Sequence, residues 1–499
     1  MKTAHHRSIL LLLLAVSLIW GCSPVSEPTE TALSTARPSI TATSTALPTL
    51  SASATPTITA TPLPLNGQQT RYFIDVNIDY YNRFVTASSR AMYTNKSNHA
   101  INEMVFIVYP AIFQAVYTRS VEFGDGTPIE NFYWESHRMV IPLAQPLQPG
   151  ETIEIVHNYD LYMPERGGVF SHSGKQLNLS YWFPFIPPYD AEKGWIAHEI
   201  SANNSTFIGE YLVFEPADYS VALTFSDRRE NFKIAAPAKA KEQDGVITYQ
   251  LELARTFTLS ISDQFTVVER QVGETTIQSI TFNEHASVAD TVADVAVQAF
   301  SLYSELYGPY GRDLLTVAEF NSDIGMEFDG IIFLSPYFYN LYPGNPRSNI
   351  HVYTAHEIAH QWFFGIVGND QAMEPWLDEA FATYSERLFY ERFYQDHLDW
   401  YWENYVTGHN PHGKIDITIY FGGDLFEYRD IVYRNGALFL HDLRAQMGDE
   451  VFFNFIQAYV NKNRHQIATS ADFFSLLDDY ADSDLSPLIE DYFSLSPTS

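Results

Sequence analysis

Three residues set the chemistry open to this chain: His356, His360 and Glu379. The histidines lie in H-E-I-A-H at 356–360 and the glutamate in W-L-D-E-A at 376–380. Positions i and i+4 of a helix share a face, so His356 and His360 can aim two imidazoles at one point. A glutamate from a following helix can bring an oxygen to the same point. Two histidines and a carboxylate are the donor set of a catalytic zinc site, whose fourth tetrahedral position is left for water. One Zn2+ per chain is the cofactor implied. Glu357 stands beside the first histidine, where a carboxylate can take a proton from that water. The plainer alternative, in a chain with 16 histidines, is an amphipathic helix with exposed imidazoles. Glu386 follows Glu379 by two helical turns and shares its face, placed to orient a ligand histidine, although a solvated helix surface explains it almost as well. The other histidines, among them His351, His172 and the His5-His6 pair, have no evident ligand partner and read as structural or exposed.

These residues need elements to hold them. Helical spacing of Val288, Val292, Val295, Ala296 and Phe300 predicts a helix from about 286 to 307. A motif helix is expected from 349 to about 364, with Ser348 or Asn349 as N-cap, and a glutamate helix over 376–396. Further helices are expected at 436–446, 450–463 and 471–481, the last capped by Ser470. Upstream, about 68–268 reads as β-rich. R-Y-F-I-D-V-N-I-D-Y at 71–80 alternates with period two, and Gly124-Asp125-Gly126, Pro149-Gly150-Glu151 and Gln243-Asp244-Gly245 are turn signals. Short strands without helical periods imply a sandwich or bent sheet.

The N-terminus is basic, and 9–20 is a mostly aliphatic run, a secretory core too short to span a bilayer. It ends in L-I-W-G-C, which resembles the bacterial lipobox. That resemblance implies that Cys22, the single cysteine of the chain, carries a lipid and becomes the mature N-terminus, tethering an exported protein to a lipid bilayer in the cell envelope. From 23 to about 65 the chain is nearly all Ser, Thr, Ala, Pro and Leu, a linker that builds no core and that spans on the order of 100 Å when stretched. A formal net charge of −31 repels phosphate, so nucleic acid is an improbable partner.

D-I-G-M-E-F-D-G at 323–330 and E-Y-R-D-I-V-Y-R-N-G-A-L-F-L at 427–440, taken with the zinc set, resemble the gluzincin aminopeptidases, the aminopeptidase N and leukotriene hydrolase family. The resemblance runs from about 71 to 482 and includes W-F-P-F-I-P-P-Y-D at 182–190, G-E-Y at 209–211, A-D-Y-S-V at 217–221 and A-Y-V at 458–460. It implies that Glu327 binds the free α-amine of a peptide and that the backbone at Gly325 and Met326 pairs with the substrate. Gly325 stands at the family's alanine, Ile324 at its glycine and Phe328 at its asparagine. Independently of resemblance, an exopeptidase needs an anion at a fixed distance from the metal to grip an ammonium. The family's oxyanion tyrosine matches Tyr433, with Asn435 where the family has lysine. Tyr428 matches a second tyrosine near the site; core packing is the alternative for both. The short stretch after the catalytic region implies that the large C-terminal helical domain of many relatives is missing.

The expected organisation is a signal peptide at 1–21, a lipid-attached linker at 22–66, an all-β sandwich or saddle domain at 67–268, and a mixed α/β, mainly helical thermolysin-like catalytic domain at 269–499. The function that this implies is a zinc metalloaminopeptidase acting on peptides with a free N-terminus, with Glu357 as base and Tyr433 stabilising the oxyanion. A thermolysin-like endopeptidase shares the zinc set but lacks an amine anchor. A non-catalytic surface binding protein on the same scaffold is the rival from another class.

Overall fold

The computed structural model describes residues 69–199 and 208–494; the expected leader, the linker and Cys22 lie outside them. Within this range the chain is β-rich first and helical second. The first half centres on a seven-stranded sheet. Its middle strand, Thr70–Asp79, pairs in parallel with Ala217–Phe225 and antiparallel with Phe84–Thr94. Alternate residues of Thr70–Asp79 are buried, as period two requires of a sheet with one wet face. The three turn signals fall between consecutive strands, after Phe123, Leu147 and Gln243.

A five-stranded sheet opens the second half, in the order Phe265–Val272, Thr275–Phe282, Leu314–Glu319, Ile331–Leu334, Met326–Phe328. The expected boundary at 268 is corrected by it. Phe265–Val272 pairs along its whole length with Thr275–Phe282, so 268 cuts a hairpin that belongs to the catalytic half. Alternation identifies a strand but not the sheet it joins. This sheet is the wall between two apolar cores. Ile331 and Phe333 face the core of the β half, and Ile332 and Leu334 face that of the helical half. Against the second face pack the helices Ala286–Tyr307 and Asn349–Ala359, and on these Trp376–Phe393, Gly436–Met447 and Asp449–Lys462 complete the same core.

Two helix ends depart from expectation. The motif helix stops at Ala359 rather than near 364, because the chain turns back into a bridge between Phe363 and Val367. The helix Ser470–Asp478 is capped by Thr469, not Ser470. The Thr469 hydroxyl accepts from Asp472 N while Asp472 accepts from Thr469 N, a reciprocal box that fixes the start one residue earlier.

A buried arginine joins the halves. Arg255 donates from its side chain to the carbonyls of Phe214 (2.7 Å), Gly365 (3.1 Å) and Gln466 (2.7 Å), which come from three distant segments. Its own amide donates to Asp329 Oδ2 at 2.8 Å, and Arg312 holds Asp329 Oδ1 at 2.8 Å. Gly368 has to be glycine here, since a Cβ would sit 2.3 Å from the Arg255 guanidinium carbon. Burial lowers Arg255 to about 10, which still leaves it charged at neutral pH. The clamp fixes the turn that follows Met326–Phe328.

His157 is buried on the strand Thr152–Tyr162, edge-on to Phe106 at 4.4 Å, and neither ring nitrogen has a hydrogen-bond partner among the described residues. Burial pushes it from 6.5 down to about 3. The unfolded chain therefore takes up the proton first, and stability falls as pH drops through the window from 6.5 to about 3. Between pH 7 and 5 this one residue is expected to remove about 2 kcal/mol. Urea unfolding at both pH values should show a loss smaller by about that amount in His157→Leu; equal losses in both proteins would contradict the assignment.

Candidate active site

The motif helix Asn349–Ala359 starts at Ser348, whose side chain accepts from His351 N, and His351 Nδ1 returns to Ser348 Oγ at 2.9 Å. His351 is thus a structural residue at the helix start. His356 sits in the last turn and His360 at the C-cap, one turn apart on one face. Glu379 lies in the first turn of Trp376–Phe393, where the helix dipole favours a carboxylate.

The three side chains converge. His356 Nε2 and His360 Nε2 are 3.2 Å apart, and Glu379 Oε2 lies 3.3 Å from the first and 3.5 Å from the second. Donors at about 2.05 Å from a tetrahedral zinc stand about 3.3 Å from one another, so the triangle has the size that zinc requires. The tautomers agree. His356 Nδ1 donates to Glu386 Oε1 at 2.6 Å, and His360 Nδ1 donates to the Phe363 carbonyl at 3.0 Å. In the neutral rings both Nε2 atoms then present lone pairs inward. Glu379 Oε2 is buried, faces them, and has no other hydrogen-bond partner among the described residues. Three lone pairs aimed at one point repel unless positive charge lies between them, and a dication supplies it. Burial opposes charge on Glu379, yet the two imidazoles hold it well below the usual carboxylate range. Burial also opposes charge on His360, but Glu327 and Glu379 raise it to about 9. The donor set fits zinc on size, tautomer and charge. Glu386 does what its spacing allowed, holding His356 from behind.

Around the triangle is a cavity of about 500 Å3. Glu357, Glu327, Met326 and Gly325 line it, as do Tyr428 and Tyr433. Glu327, Glu357 and His360 bring ligand atoms within 4.8 Å of one another. Gly325 is tied to Glu357 by space: a Cβ at 325 would lie 2.2 Å from Glu357 Oε1. The loss of the alanine methyl therefore gives the carboxylate room. Met326–Phe328 is the free edge of its sheet, paired only with Ile331–Leu334, so its outer edge is open to an added strand. Phe328 turns away from the cavity and packs on Tyr181 and Phe333, anchoring the strand in the β half. Asn435 donates to the Gly413 carbonyl at 2.7 Å, a loop contact outside the donor set.

Tyr428 and Tyr433 are five residues apart, a spacing that an α-helix splays to different sides. Here Arg429–Asn435 is a π-helical turn, whose i to i+5 repeat brings both rings to the cavity. The Tyr433 ring lies parallel to His356 at 6.0 Å, and its hydroxyl donates to Glu379 Oε1 at 2.6 Å. Tyr433 is therefore engaged with the metal-ligand carboxylate, and acting on an oxyanion requires it to leave that bond. The Tyr428 hydroxyl packs on Gly209, where a Cβ would come within 2.4 Å and where φ is +84°.

Some residues of the site were not read from the sequence. Glu210, in the G-E-Y run, lines the cavity from the β half. Gln361 bridges the motif helix to the substrate strand: its amide donates to the Phe328 carbonyl at 3.0 Å and its oxygen accepts from Gly330 N at 2.9 Å. Gln371 donates to Asp378 Oδ2 at 2.8 Å and to Glu327 Oε1 at 3.3 Å. Gln361 follows the histidine motif directly, and Glu210 lies in the G-E-Y run that carried part of the resemblance, though neither was given a role. Burial, reinforced by neighbouring carboxylates, pushes Glu210, Glu357 and Asp378 each up to about 8 and raises Glu327. A cation in the triangle favours their charged forms again. Among the described residues the metal-capable clusters are these two overlapping groups.

The comparisons agree with this geometry. Residues 293–492 match the peptidase family M1 domain. The chain is 23% identical over 249 residues to probable aminopeptidase 2 of Sulfurisphaera tokodaii, across 46% of this chain and 32% of that protein. To aminopeptidase B of Rattus norvegicus it is 31% identical over 198 residues, 35% of this chain and 29% of the relative. The chain spans a third or less of the length of the first curated relatives it matches. Its fold is similar to the M1 zinc metallopeptidase of Deinococcus radiodurans, with a TM-score of 0.59 at 17% identity over 86% of this chain and 96% of that one. A mutant of that protein bound to a Tyr-Ser-Ala substrate gives a TM-score of 0.58 at 18% identity over the same shares. The segment that carries the triangle and Glu357, residues 293–492, is thus the segment that matches the peptidase family M1 domain.

Proposed function

We propose that this chain is a zinc-dependent aminopeptidase, removing the first residue from peptides with a free amino end. The observation that carries this reading is a pair of carboxylates, half-buried Glu210 and buried Glu327, lining the same cavity as the donor triangle and Glu357. Zinc held by His356, His360 and Glu379 would polarise the scissile carbonyl and acidify a water. Glu357 takes the proton from that water at its carboxylate and returns it to the leaving amine. Glu357 Oε2 is buried and has no hydrogen-bond partner among the described residues, so it is free to accept. Glu327 and Glu210 bind the substrate ammonium and set the distance from the chain end to the bond cut. The edge strand Met326–Phe328 aligns the peptide backbone, and Gln361 holds that strand to the motif helix. The relatives named as aminopeptidases support the same reading. An endopeptidase requires a cleft that both chain ends can leave, and carboxylates at one end of the cavity disfavour it. Retention of every donor and the base disfavours a non-catalytic relic.

The reading extends to location. A basic start, an aliphatic run at 9–20 and the lone Cys22 support export and lipid attachment to the cell envelope. Expressed in a bacterial host, the intact chain should partition into the detergent phase, and Cys22→Ser should move it to the aqueous phase. A wild-type chain found only in the aqueous phase would remove the tether.

An aminoacyl reporter with a free amine should be cleaved and its N-acetyl form should not; equal rates would point to an endopeptidase instead. Glu357→Gln should retain zinc and lose turnover by about 10²–10⁴-fold. Full activity in the zinc-loaded variant would rule out Glu357 as the base.

Glu386→Ala removes the acceptor behind His356. Zinc affinity, measured by competition with a chromophoric chelator, should fall about 10–100-fold. Unchanged affinity would mean that the 2.6 Å contact does not orient the ligand.

A further inference from the structure

Arg429 is a cation without a carboxylate. It lines the cavity, half-buried, from the same π-helical turn as Tyr433. Its Nη2 donates to the Tyr353 hydroxyl at 3.4 Å, and its guanidinium lies 6.0 Å from the Tyr433 ring. Among the described residues it forms no ion pair. Arg434, in the same turn, differs: it pairs with Asp430 and donates to the Tyr405 carbonyl at 3.0 Å. In a chain of net charge −31, a guanidinium that lines the cavity and forms no ion pair among the described residues is placed for an anion from outside.

Its place in the cavity says which anion. Glu327 and Glu357 cluster with His360 on one side of the triangle. Arg429 belongs to the other side: its partner Tyr353 lies 6.5 Å from the His356 ring, and Tyr433 is parallel to that same ring. A peptide whose ammonium is held by Glu327 crosses the triangle with its scissile bond and continues past His356. Tyr353, packed on Phe338 at 4.6 Å, and Arg429 flank that continuation.

Resting on the aminopeptidase reading, we propose that Arg429 binds a carboxylate on the leaving side of the scissile bond, so that short peptides ending there, or chains with an acidic residue there, are preferred substrates. The guanidinium offers a planar fork of donors that matches a carboxylate. The cavity would then be charged along its length, carboxylates for the amino end and a guanidinium for the far end.

Three peptides with one first residue test this: Leu-Ala-Ala with a free C-terminus, its C-terminal amide, and Leu-Glu-Ala amide. kcat/KM is measured for each with wild type, Arg429→Gln and Arg429→Lys. The wild type should favour at least one carboxylate-bearing peptide over Leu-Ala-Ala amide by about tenfold or more. A preference for the free acid identifies the chain terminus as the ligand, and one for the glutamyl amide identifies the side chain. In Arg429→Gln the ratio should collapse to about one, with part of it kept by Arg429→Lys. Equal rates on all three peptides in wild type overturn the proposal while leaving aminopeptidase activity intact. No cleavage of any of them overturns the aminopeptidase reading itself. A preference that survives in Arg429→Gln assigns the recognition elsewhere and also ends the proposal.

Discussion

Crowded negative charge is the constraint on which the rest of this structure depends. Glu210, Glu327, Glu357, Asp378 and Glu379 are gathered around one point with little access to water, and each disfavours the ionisation of the others. Such a cluster is tolerable only where positive charge is supplied. The two imidazoles can supply it by taking up protons, as the upward shift of His360 shows, but only by giving up the Nε2 lone pairs that face the triangle. A dication in the triangle and a substrate ammonium beside Glu327 can supply it without that loss. On the proposed reading, the same crowding that makes the site costly to form is what would select a metal and a charged amino end.

Holding that arrangement requires rigid backbone, and the scaffold achieves it with buried polar cross-links instead of apolar contact alone. Gln361 ties the motif helix to the substrate strand. Asp329, gripped by Arg312 and by the Arg255 amide, fixes the turn where that strand reverses. Arg255 then joins this turn to the β half and to the segment after the motif helix. Glu357 and the two histidines share one helix, while Glu379, Glu327 and Glu210 come from other segments, and these links keep their relative positions from drifting. Gly325 and Gly209 contribute by what they lack, letting Glu357 and Tyr428 approach the backbone closely.

The parts of the site that were legible beforehand are those with a local period. His356 and His360 are one helical turn apart, and Glu379 and Glu386 are two turns apart, so their shared faces follow from helix geometry. The strand Thr70–Asp79 and the helix Ala286–Tyr307 were readable for the same reason. Tyr428 and Tyr433 were not, because a five-residue spacing converges only in a π-helical turn, and nothing in the local periodicity announces one. The boundary at 268 falls inside the strand Phe265–Val272, because no local signal says which sheet a strand joins. Tyr433 itself shows how a matched position leaves the contact open: the hydroxyl reaches the cavity but is bonded to Glu379.

By itself, the sequence determined which chemistry is available, since donor types at fixed helical offsets leave few alternatives for two imidazoles and an acid. It also determined the order of β-rich and helical regions, because hydrophobic period is a property of neighbouring residues. Only the tertiary structure decided that Glu210 joins the site from the β half, that Arg429 forms no ion pair among the described residues, and that Gln361 binds the strand. Those are contacts between residues tens to hundreds of positions apart, and their distances are set by how sheets and helices pack, which no local spacing encodes.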